Sequence, residues 1–146
     1  PLINDDKAFN TAVNMLENLL VKYKFDKFAA IDARGFLFGG ALCQRFQKGL
    51  TLIRKKNKVP GNKKIKIDYE LEYGKDSLEI NPDLSKSKFV LVDDLLATGG
   101  TAQAAQKLIN NSGGEVVCFL TLIELSFLKG RELIKAPCES IIKYEK

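Results

Sequence analysis

The chain has 146 residues, 45% hydrophobic and 28% charged, a balance that suits one globular domain over residues 1–146 and excludes a disordered or collagen-like chain. Its net charge of +5 and pI near 9.1 favour an anionic ligand, with nucleic acid as an alternative. There is no histidine, so His-based triads, His-rich zinc sites and the usual general base are excluded, and any acid–base chemistry falls to Asp, Glu, Lys, Tyr or the substrate.

Pro1 to Lys24 reads as an amphipathic helix, with Phe9, Ala12, Val13, Leu16, Leu19, Leu20 and Tyr23 recurring at helical spacing and Asn4 or Asp5 placed to cap it. Phe28 to Ile31 is a short buried strand. It runs into the polar turn Asp32-Ala33-Arg34-Gly35 and a helix from Phe36 to Phe46, so backbone N–H groups and a permanent guanidinium gather at one turn. Leu50 to Ile53 is a third element, a strand that leads into the basic run from Arg54 to Lys64. Such a run is ordinarily a solvated loop, and no Phe or Tyr interleaves its lysines to stack on nucleic-acid bases. Lys64 to Leu71 alternates as an edge strand would and passes through Glu72-Tyr73-Gly74 to a return at Ser77 to Ile80.

The most informative stretch is FVLVDDLLATGGT, Phe89 to Thr101. An apolar strand, Phe89 to Val92, is expected to end at the adjacent carboxylates Asp93 and Asp94. The loop Ala97 to Thr101 then opens a helix from Ala102 to Asn111. Glycines before a helix leave N–H groups free to converge on a phosphate, while paired acids suit hydroxyl groups or a metal. A sugar phosphate meets both demands, although a plain strand-to-helix turn with solvated acids has the same spacing. Neither G-x-G-x-x-G nor G-K-[ST] is present. Glu115 to Glu124 is a further, very apolar strand, Leu128 to Ile134 a short helix, and Cys138 to Tyr144 the last strand. The cysteines Cys43, Cys118 and Cys138 sit singly in apolar surroundings and read as buried thiols. No apolar run reaches the length of a membrane span and no secretory leader precedes Asn4, so a cytoplasmic setting is expected. Strands alternate with helices, which predicts an α/β domain with a mainly parallel sheet and ligand sites at the carboxyl ends of its strands.

VLVDDLLATGGT resembles the phosphoribosyl pyrophosphate (PRPP) signature of the type I phosphoribosyltransferases. IDARGFLFGGAL (31–42), LIRKKNKVPG (52–61) and YELEYGKDSLEI (69–80) are similar to the adenine-specific branch of that family. The resemblance implies transfer of the phosphoribosyl group from PRPP to adenine, giving AMP and pyrophosphate. It assigns the ribose hydroxyls to Asp93 and Asp94, and the 5′-phosphate to Ala97, Thr98, Gly99, Gly100 and Thr101. It gives the pyrophosphate to Arg34, Arg54 and Lys58, with Mg²⁺ carried by PRPP and no direct protein ligands to the metal. A flexible lid carries Glu72, which handles a proton on the base, and Tyr73, which covers the reacting centre; Leu125 packs on the purine. The turn at Asp32 to Gly35 often holds a cis peptide in related enzymes. A homodimer is implied, as is an upstream base-pocket segment that the 146 residues do not include. Transfer to xanthine, hypoxanthine or guanine, and a non-catalytic PRPP sensor, are the competing functions.

Overall fold

A computed structural model describes residues 2–55, 65–71, 74–81 and 86–146. After a 3-10 turn at Leu2–Asn4, helix α1 (Asp6–Leu20) begins where the Asp5 carboxylate accepts from the backbone N–H groups of Lys7 and Ala8 at 3.0 and 2.9 Å. That cap, one of the two the sequence offered, satisfies donors that have no partner within the helix, and the helix runs from Asp6 to Leu20 within the expected 1–24. At the other end, Tyr23 donates its hydroxyl to Glu139 at 2.6 Å and ties the segment after α1 to the last strand.

The remaining elements are β1 (Lys27–Ile31), α2 (Gly35–Phe46), β2 (Gly49–Lys55), β3 (Ile65–Leu71), β4 (Gly74–Ile80), β5 (Lys88–Leu96), α3 (Gly100–Asn111), β6 (Glu115–Leu125) and β7 (Cys138–Tyr144). They form a seven-stranded sheet in the order β3-β4-β2-β1-β5-β6-β7. The β2-β1-β5-β6-β7 block is parallel, while β4 runs antiparallel to both β2 and β3. The expected mainly parallel α/β fold is therefore observed.

Strands β1 and β5 are buried on both faces, which is why their sequences are near-continuous apolar runs. Period-two geometry still sorts them. Phe28, Ala30, Val90 and Val92 meet Leu16, Phe38 and Leu42 in the layer of α1 and α2. Ala29, Ile31, Phe89 and Leu91 meet Ala105, Leu108 and Ile109 of α3 on the opposite face. Each of these large side chains contributes roughly 1.5–3 kcal/mol of transfer free energy. Cys118 lies in the first of these layers, where burial pushes its thiol pKa up to about 12 and leaves it a packing group. Among the described residues no helix is long and apolar enough to cross a membrane.

This arrangement places the functional crevice. The chain leaves β1 through α2 toward β2 on one side, and leaves β5 through α3 toward β6 on the other. The helices lie on opposite faces, so the carboxyl ends of β1 and β5 face a gap that no connection crosses.

Three expected boundaries move. Strand β5 does not stop at Val92: Asp93, Leu95 and Leu96 go on pairing with Thr121, Ile123 and Glu124 of β6, whereas pairing to β1 ends at Val92. The acids thus overhang an open side of a strand held on its other side. The return strand begins at Gly74, with Glu70 opposite Lys75 and Leu71 opposite Gly74. The predicted helix over 128–134 is instead two 3-10 turns, Ser126–Leu128 and Gly130–Leu133, broken where Lys129 adopts φ 55°.

Candidate active site

The gap between β1 and β5 is a crevice of about 250 Å³ lined by residues 31–34, Lys55 and residues 93–102. Two helix N-termini open into it. Helix α2 starts at Gly35 and α3 at Gly100, and neither has a side-chain hydrogen bond at its cap. The helix dipole adds positive potential at both ends. At α2 the Phe36 and Leu37 N–H groups donate to the Ala33 and Arg34 carbonyls, whereas at α3 the Thr101 and Ala102 N–H groups have no such partner among the described residues, so the start of α3 suits an anion best. Gly35 is required where α2 meets β5: a Cβ there would lie 2.9 Å from the Val92 carbonyl oxygen and 3.2 Å from Asp93 Cα. The peptide between Asp32 and Ala33 is cis, in the turn where the sequence resemblance implies one.

Between the two helix ends stand the carboxylates. Asp94 N–H donates to Asp93 Oδ1 at 2.8 Å, and Asp94 Oδ2 pairs with Arg34 Nε at 3.0 Å. The Arg34 side chain is 72% exposed, and among the described residues this pairing holds its guanidinium, with its other edges open to a ligand. Asp93 is half-buried, and desolvation together with its neighbour Asp94 raises its pKa well above the usual carboxylate range, with Lys55 pulling the other way. Hydroxyl donors from a sugar would replace lost water around that carboxylate.

Of the residues singled out in the sequence, Arg34, Asp93, Asp94 and Ala97 to Thr101 converge on this crevice. Arg54 and Leu125 are not in its lining. The Arg54 guanidinium sits 5.9 Å from the centre of the Phe36 ring, and its Nε is buried without a hydrogen-bond partner among the described residues. Leu125 ends β6, opposite Tyr144 of β7. Lys58, Glu72 and Tyr73 lie outside the described residues.

Sequence reasoning missed Lys55 and Asp32. Lys55 lines the crevice, its backbone N–H donating to Asp32 Oδ2 at 3.2 Å and its Nζ standing 3.7 Å from Asp76 Oδ2. Strand alternation was the available signal: Ile53 is fully buried, so Lys55 shares its face and Arg54 takes the other.

The phosphoribosyl transferase domain family matches residues 4–145. The chain is 48% identical over 147 aligned positions to the adenine phosphoribosyltransferase of Thermoanaerobacter pseudethanolicus, covering 99% of this chain and 84% of that protein. It is 43% identical to the enzyme of that name from Caldicellulosiruptor bescii, covering 83% of it. The crystal structure of the Thermoanaerobacter protein superposes with a TM-score of 0.94, at 46% identity over 99% of this chain and 85% of that one. The Saccharomyces cerevisiae adenine phosphoribosyltransferase, crystallised with an imino-altritol bisphosphate and adenine, gives 0.87 at 34% identity over 96% and 82%. A crevice of this construction in a chain so covered by these relatives leads to one assignment: it belongs to the adenine phosphoribosyltransferase family.

Proposed function

We propose that this chain is a purine salvage enzyme that transfers the 5-phosphoribosyl group of PRPP to adenine. The observation that carries the reading is the acid pair Asp93–Asp94 set between two helix N-termini that lack side-chain caps. PRPP is anionic at both ends and carries a diol between them, and this crevice alternates donors and acceptors in the same order.

Adenine N9 attacks the anomeric carbon as the bond from that carbon to the pyrophosphate oxygen breaks, and the electron pair leaves with pyrophosphate. The sugar gains oxocarbenium character in between. Asp93 and Asp94 accept from the ribose hydroxyls and fix the ring. The backbone of Ala97 to Thr101 holds the 5′-phosphate. The resemblance assigns Arg34, Arg54 and Lys58 to the departing pyrophosphate; of the described residues Arg34 and Lys55 line the crevice, and Arg54 lies outside its lining. Glu72 takes the proton released from the purine, Tyr73 covers the reacting centre and excludes water, and Leu125 packs on the base. Most of the rate enhancement then comes from positioning and charge stabilisation.

PRPP is taken to enter as its Mg²⁺ complex. The crevice offers hard carboxylate oxygens from Asp32, Asp93 and Asp94 beside the anion sites, a donor chemistry that suits a hydrated Mg²⁺ arriving on its substrate. The metal would neutralise pyrophosphate charge when present. The homodimer and the cytoplasmic setting are supported by the family resemblance, and sedimentation of the purified chain tests the former.

A base panel tests the reading. With PRPP and Mg²⁺ supplied, adenine is expected to release pyrophosphate far faster than hypoxanthine, guanine or xanthine. Preference for another base would move the chain to a sister activity, and release with none would leave a PRPP-binding sensor.

A further inference from the structure

Behind the phosphate loop lies a second piece of backbone that the proposed chemistry does not use. Gly99 sits at φ 91°, and a Cβ added to it would stand 2.4 Å from the carbonyl oxygen of Gly130. The contact is reciprocal: a Cβ on Gly130 would stand 2.4 Å from the Ala97 carbonyl oxygen and 3.0 Å from Gly99 N. Two main chains therefore touch with no side chain between them, one of them being the loop that forms the phosphate site. The Lys129–Gly130–Arg131 segment is itself tied to β6. Arg131 makes a forked pair with Glu124, Nε to Oε2 at 2.8 Å and Nη2 to Oε1 at 2.5 Å. Glu124 is 2% exposed and also accepts from the Ser140 hydroxyl at 3.0 Å. On β6 it stands opposite Leu96, the residue immediately before the phosphate loop. The Arg131 guanidinium keeps the Glu124 carboxyl below its usual pKa despite burial, so the pair stays charged.

We infer that Gly130 is a positioning residue for 5′-phosphate recognition, its backbone buttressing the Ala97–Gly99 loop while the Glu124–Arg131 fork sets the height of that buttress. The inference rests on the phosphoribosyl reading of the crevice and deepens it. A phosphate cradle made of main-chain N–H groups has no side chain to adjust, so its donors point correctly only if the loop is supported from behind.

The test compares ribose 5-phosphate binding by calorimetry and steady-state kinetics for the wild-type chain, Gly130→Ala, Glu124→Gln and Val13→Ala. Val13 is a core residue in the α1 layer and controls for lost stability alone. Gly130→Ala should weaken ribose 5-phosphate binding and raise the KM for PRPP roughly ten- to a hundredfold, the scale of a small misplacement. Glu124→Gln should do so by about fivefold, as a charged fork becomes neutral. In both variants the KM for adenine should change less than about twofold, and Val13→Ala should lower Tm without moving either constant. If Gly130→Ala does not fold, Glu124→Gln carries the same comparison. Normal ribose 5-phosphate affinity in folded Gly130→Ala, or in Glu124→Gln, overturns the inference alone. Equal rises in the two KM values also overturn it. Failure of the wild-type chain to bind ribose 5-phosphate or PRPP overturns the reading of the crevice and this inference with it.

Discussion

The three helices of the described residues begin in two different ways. Helix α1 starts on a carboxylate of its own, Asp5, which takes the Lys7 and Ala8 N–H groups. Helices α2 and α3 start on Arg34 and Gly99, with no side chain in that role, and both open on the crevice beside Asp93 and Asp94. The second and third N–H groups are thus taken by a side chain on α1 and by the Ala33 and Arg34 carbonyls on α2, while on α3 they have no such partner among the described residues. A helix end that only had to be stable would carry an Asp or Ser. On α3 the bare end suits an outside anion.

The sharpest way to break this contrast is to place a carboxylate at the start of α3. Thr101→Asp puts a carboxylate in the first turn of α3, where it satisfies the dipole and repels phosphate. The kcat/KM for PRPP should fall roughly a hundredfold or more, while the helix gains about 0.3–1 kcal/mol and the melting temperature rises slightly. Loss of activity accompanied by loss of stability would mean that the end of α3 was not an anion site.

Asp94→Asn should have the next largest effect. A hydrogen bond to a charged group is worth about 1.5–3 kcal/mol, so PRPP binding should weaken by roughly ten- to a hundredfold with adenine binding changed much less. Equal loss of both in titration calorimetry would contradict the role given to Asp94.

Asp93→Asn separates function from stability. The folded-state pKa of Asp93 is raised by desolvation, so its contribution to stability is most favourable below the ordinary carboxylate pKa and is lost as pH rises through the folded value. The neutral variant avoids that loss. It should melt a few degrees higher than wild type at pH 7.5, with the difference shrinking toward zero near pH 4, and it should bind PRPP more weakly. A pH-independent difference in melting temperature would contradict the assignment.

Asp5→Ala should have the smallest effect on activity. It should cost about 1 kcal/mol of stability and leave both KM values unchanged, because the cap of α1 serves only the helix.

Much of this was legible in the chain because the informative signals are local. The apolar runs over 28–31 and 89–92 identify the central strands, and the acids followed by Ala97 to Thr101 mark the ligand end of the second. What was not legible depends on partners distant in sequence. The extension of β5 through Asp93 and Asp94 to Leu96 requires β6, which a local reading of two carboxylates after Val92 does not foresee. The meeting of Gly130 with Gly99 joins segments far apart in sequence, which no local propensity reports. Lys55 was hidden in plain view, since its neighbour Arg54 drew the assignment although alternation sends the two to opposite faces. Glu72 and Tyr73 of the proposed lid, and Lys58 of the basic run, fall outside the described residues.

The most direct measurement is a crystal structure of the chain soaked with ribose 5-phosphate. The phosphate should lie within hydrogen-bond distance of the N–H groups between Gly99 and Ala102, with the ribose hydroxyls on the carboxylates of Asp93 and Asp94. A sugar phosphate bound away from the end of α3, or turned so that its hydroxyls face solvent, would contradict the division of labour between the acids and the helix.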